Sequence, residues 1–95
     1  MFTTTSTPVT LEGAVISEAG TTFALASVAP NVVHDPTEAE RLVLLLEERV
    51  FPGMPVALMA REWNGHVCFY GHVDVSKVLA GVPLSRIPWR RYPLP

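Results

Sequence analysis

An Asn64-Gly65 pair sits between two β-like runs, Pro55 to Glu62 and the run that starts at Val67. Nothing else in the chain limits its fold as much. Both residues tolerate positive φ, so a type I′ turn can close a tight hairpin there. A two-residue loop pairs Trp63 with His66, Arg61 with Cys68, Met59 with Tyr70 and Ala57 with His72. One face then carries Met59, Arg61, Trp63, His66, Cys68 and Tyr70. The other carries Val56, Leu58, Ala60, Val67 and Phe69, a set suited to a core.

Upstream, Val9–Ile16 and Thr22–Val28 read as a first hairpin turned at Glu18-Ala19-Gly20, with Phe23 and Leu25 as its core pair. Asp35 is a natural N-cap with Pro36 at the first helical position and Glu38 placed for a capping box. Ala39, Leu42, Val43, Leu46 and Val50 follow at helical spacing, widened by Leu45, while Glu40, Arg41, Glu47 and Glu48 form the wet side. Leu44 lies on that wet side, where a single exposed leucine is ordinary; the alternative is a second contact, such as a helix pair in a dimer. Pro52-Gly53 stops the helix. Asp74 caps a short second helix with Val75, Val78 and Leu79 as its stripe and Gly81 at its end.

The order is β-β-α-β-β-α. The expected fold class is α+β, a two-layer domain with a four-stranded, mainly antiparallel sheet and two helices on one face. Residues 1–8 are expected to be a flexible N-terminal segment, 9–81 the domain, and 82–95 a proline-rich C-terminal extension packed on it. Two layers leave one sheet face open. A face holding Met59, Trp63 and Tyr70 needs a cover, from the tail or from another subunit.

Bulk properties narrow the functional classes. The 95 residues suffice for one modest core, and 48% hydrophobic content argues against disorder. Charged residues are only 17%, which favours a partly covered surface. Seven carboxylates against two arginines in residues 1–50 give way to five cations against two carboxylates in 51–95. The halves are complementary, and the net charge of -2 gives no general pull towards nucleic acid or an anionic membrane. A single cysteine rules out an internal disulfide framework and fits a cytoplasmic location. No stretch approaches the roughly 18 apolar residues of a membrane helix, and MFTTTSTP is not a signal peptide.

No residue is assigned a catalytic role, and no metal or cofactor is expected. Cys68 is the one candidate reactive thiol, but residues two apart on a strand are about 6.6 Å apart, so His66 is poorly placed as its base. A zinc set of His66, Cys68 and His72 fails on reach, because six residues of strand span about 20 Å, and His34 must arrive from the other half of the chain. Arg86, Trp89, Arg90, Arg91 and Tyr92 interleave cations and aromatics and are candidate contacts for single-stranded nucleic acid. The leading expectation is a protein-interaction or structural protein, homodimeric or bound to another protein. Its aromatic sheet face would comprise Met59, Arg61, Trp63 and Tyr70, with Leu44 as an accessory contact. Nucleic-acid binding, a thiol-dependent enzyme and a non-redox thioredoxin-like domain are the alternatives.

The last of these rests on order alone. The strand Thr22–Val28, the helix after Asp35, the Pro55 strand, the Val67 strand and the short second helix run β-α-β-β-α, similar to the core of thioredoxin-like domains over about sixty residues. Pro55 resembles the position of that family's cis-proline loop. No cysteine starts the first helix, and the β-α segment before the proline strand is missing or merged.

Overall fold

Asp35 begins the longest helix in the way its side chain dictates. In the computed structural model, which describes residues 10–18, 20–75 and 84–94, its carboxylate accepts the amide hydrogens of Thr37 and Glu38, each at 3.2 Å. Two amides of the first turn that lack helical partners are thereby satisfied. Along the chain come β1 (Thr10–Glu18), β2 (Thr21–Ser27), α1 (Pro30–Val33), α2 (Pro36–Arg49), β3 (Val56–Arg61) and β4 (Val67–Gly71). A 3₁₀ turn (Leu84–Arg86) and β5 (Arg90–Pro93) follow.

The sheet has five strands in the order β4-β3-β2-β1-β5, not the expected four. It is mixed, because β2 and β3 run parallel while the other pairs are antiparallel. The helical connection is the cause. α2 has 14 residues and so spans about 21 Å, which carries the chain back to the end of the sheet from which β2 set out. The fifth strand comes from the tail, where Arg90–Pro93 pairs with β1 from Gly13 back to Thr10. The second helix expected over 74–81 falls mainly outside the described residues, as does segment 1–8.

Two of the three inner strands, β2 and β3, are buried on both faces. In β2, Phe23, Ala24, Leu25 and Ala26 are fully covered, and Val56 to Ala60 of β3 are buried without a break. One core lies under the helices, where Ala24, Ala26, Val56, Leu58 and Ala60 meet Val33, Ala39, Val43, Leu46 and Phe51. A second core lies on the other face, where Ala14, Ile16, Phe23, Leu25, Ala57 and Met59 meet Val75 and Ile87, flanked by Val67, Phe69, Val73 and Trp89. The face expected to need a partner is covered by the protein's own C-terminal residues. Each large side chain fully buried in these cores stabilises the fold by about 1.5–3 kcal/mol.

The second hairpin differs from expectation by one residue, and the difference matters. Glu62 donates its amide hydrogen to His66 O at 2.8 Å, and Gly65 donates to Glu62 O at 2.9 Å. The loop is therefore the three residues Trp63, Asn64 and Gly65, with Gly65 in the left-handed region at φ 87°. That is a type I turn ending in a bulge glycine rather than a type I′ turn. Ala60 now faces Cys68, Leu58 faces Tyr70 and Met59 faces Phe69. Cys68 and Tyr70 move to the helix side, and Met59 goes into the second core. The aromatic interaction face does not form. Trp63 stands 96% exposed at the tip of the turn, Met59 is buried, and Tyr70 turns towards α2.

Candidate functional site

Along the helix side of β4, alternate residues Cys68, Tyr70 and His72 face a row of polar groups. α2 supplies Glu40 and Glu47, two turns apart and therefore on one side of the helix. They were expected on its wet face, but both turn to the sheet edge. The Tyr70 hydroxyl donates to Glu40 at 3.2 Å. His72 Nδ1 lies 2.8 Å from Glu47 Oε2, and Nε2 lies 3.1 Å from both Glu40 oxygens. Glu47 also accepts the Val56 amide hydrogen at 2.9 Å, tying α2 to the start of β3.

At the other end of the row, three segments converge. His34 is the C-cap of α1, held by a backbone bond to Pro30 O. Glu62 follows β3 immediately, and Cys68 lies on β4. His34 Nε2 is 2.7 Å from Glu62 Oε1, and one ligand atom from each of the three residues falls within 4.8 Å of the other two. His34 is exposed, while Glu62 and Cys68 are half-buried. Cys68 Sγ donates to Ala60 O at 3.6 Å. Burial, reinforced by the negative charge and hydrogen bonding of Glu62, pushes the Cys68 thiol above its ordinary pKa.

Imidazole nitrogen, thiol sulfur and carboxylate oxygen are all zinc-type donors. Tetrahedral zinc, with bonds of about 2.0–2.3 Å, separates such donors by about 3.3–3.6 Å. Gaps of up to 4.8 Å must therefore close by about 1 Å, and the 2.7 Å His34–Glu62 contact must open. Three protein donors leave a fourth position for water or another ligand. A bare thiolate beside Glu62 is disfavoured, and a cation between them reverses that penalty.

This grouping replaces the one weighed from the sequence. His66 is exposed at the turn, and His72 is engaged with Glu40 and Glu47; neither joins Cys68 in the donor group. His34 does arrive from the other half of the chain. Glu62 had no visible role beside an assumed two-residue turn, although its even number already placed it on the face of Leu58 and Ala60.

The remaining predicted residues are scattered. Leu44 is 51% exposed on α2, and Arg61 is exposed at the end of β3. Arg86, Arg90 and Arg91 are exposed. Trp89 packs beside the second core, and the Tyr92 ring meets the Phe51 ring edge-on with centroids 4.7 Å apart. Among the described residues no helix is long and apolar enough to cross a membrane.

The site and fold together define a small mixed α+β domain with a three-donor His/Glu/Cys cluster at one sheet edge. Comparison with protein-family models, curated proteins and solved structures gives no match.

Proposed function

We propose that this protein binds a divalent transition-metal ion, of which zinc is the best fit, through His34, Glu62 and Cys68. The observation that carries the reading is the convergence of three different donors from three separate segments within 4.8 Å. Mixed sulfur, nitrogen and oxygen donors suit zinc better than calcium or magnesium, which take oxygen. The same geometry disfavours a nucleophilic thiol, because Glu62 stands next to Cys68 and holds the proton on it. The role is a binding one, and no turnover is assigned.

Cobalt(II) is the direct probe, since a thiolate bound to it gives a charge-transfer band in the near ultraviolet. One equivalent is expected to produce that band, and zinc to abolish it. Cys68→Ser should remove the band, and His34→Ala or Glu62→Gln should weaken binding by at least tenfold, in the range of losing a metal contact. Binding displaces the thiol proton, so affinity should climb by up to about tenfold per pH unit below the raised thiol pKa. A band that survives in Cys68→Ser, or no uptake by the wild type, overturns the reading.

A further inference from the structure

The imidazole of His72 is held at both nitrogens by carboxylates from one helix, Glu47 at Nδ1 and Glu40 at Nε2. A neutral imidazole has only one N–H, so one nitrogen would aim its lone pair at a carboxylate. The geometry fits the doubly protonated ring, which donates at both ends. Both of these glutamates come from α2. Tyr70 of β4 reaches it only through Glu40, and the Val56 amide of β3 holds Glu47. Asp74 follows two residues later in the chain. An open groove of about 420 Å³, lined by Glu47, Gly53, Met54, Pro55 and His72, gives the ring access to bulk protons.

Among the described residues β4 is an edge strand, paired only with β3. Beyond apolar packing of Cys68 and Tyr70 on the core, its polar ties to α2 run through Tyr70 and His72. The metal donors divide across the same seam, with His34 directly before α2 and Cys68 on β4. We propose that His72 is a proton-operated latch that holds β4 against α2, and so governs the affinity of the His34–Glu62–Cys68 site for a metal ion. The coupling rests on the metal-binding reading above; the latch itself does not.

Hydrogen bonding to Glu40, reinforced by Glu47, raises the His72 pKa despite a smaller opposing effect of burial. A histidine raised on folding contributes stability that is complete below its unfolded pKa of about 6.5 and lost as pH rises through the folded value. The latch is thus closed in mild acid and released as pH rises through the raised His72 pKa.

The test titrates cobalt(II) into the full chain between pH 6 and 8.5 for wild type, His72→Gln and His72→Arg, and measures amide exchange in β4. Wild type should bind about fivefold or more tightly than His72→Gln at pH 6, the ratio falling as pH rises through the raised His72 pKa. His72→Arg keeps the cation at every pH and should retain the advantage throughout. β4 protection factors should fall with pH in wild type and stay flat in both variants, low in His72→Gln and high in His72→Arg. A ratio independent of pH means His72 only packs the edge, and overturns the latch. Tighter binding by His72→Gln at low pH means only charge repulsion of the metal, and also overturns it. No cobalt uptake by wild type sinks the metal reading and the coupling with it, while the protection factors still decide whether the latch exists.

Discussion

Gly71 shows how narrowly the site is framed. It faces Ala57 across the β3–β4 ladder, and a Cβ there would lie 2.5 Å from both Ala57 Cα and Val56 O. Both are backbone atoms of a buried strand, so they cannot move aside cheaply. Gly71→Ala should destabilise the protein by about 1–3 kcal/mol, read from the urea midpoint. Because Gly71 lies between Tyr70 and His72, the same variant should also speed amide exchange along β4. An unchanged midpoint would show that the strand end has slack. Little of this was legible in the residues themselves. Asn64-Gly65 correctly announces a turn, yet it fits a type I turn with a bulge as well as a type I′ turn. The choice moves every cross-strand partner by one and decides whether Cys68 faces Arg61 or Ala60.

At the level of elements, α2 was the most legible part of the chain. The Asp35-Pro36 start and the stripe of Ala39, Val43 and Leu46 place it where it is found, with those three residues buried. Asp35→Ala leaves the Thr37 and Glu38 amides without their acceptor and should cost about 1 kcal/mol in thermal or urea unfolding. No loss would mean that water replaces the carboxylate fully. The polar side of α2 was not legible, because periodicity distinguishes apolar from polar and does not say what a polar side chain meets. Glu40 and Glu47 look like solvated glutamates in the sequence, and in the fold they grip His72 and Val56. The run Val56-Ala57-Leu58-Met59-Ala60 carries a legible signal. An unbroken apolar strand after a helix indicates burial on both faces and a parallel neighbour, not one wet face.

For the whole molecule, the tail is the deciding segment. Ile87 and Trp89 pack on the sheet face opposite the helices, and β5 extends the sheet beyond β1. Ile87→Asp puts a carboxylate where a buried side chain contacts the second core. It should lower the melting temperature sharply and increase binding of a hydrophobic dye. Full stability in that variant would show that the tail merely rests on the face. The chain by itself determined the strand-poor and strand-rich stretches, the capped helix, the turn at Asn64-Gly65 and the absence of a disulfide framework. These depend on neighbours in sequence, whose geometry is fixed by local sterics and hydrogen bonding. Only the tertiary structure decided the parallel β2–β3 pair, the fifth strand, the owner of the second face and the meeting of His34, Glu62 and Cys68. Each of those joins residues far apart along the chain, and their contact is set by how the cores pack, which no local pattern encodes.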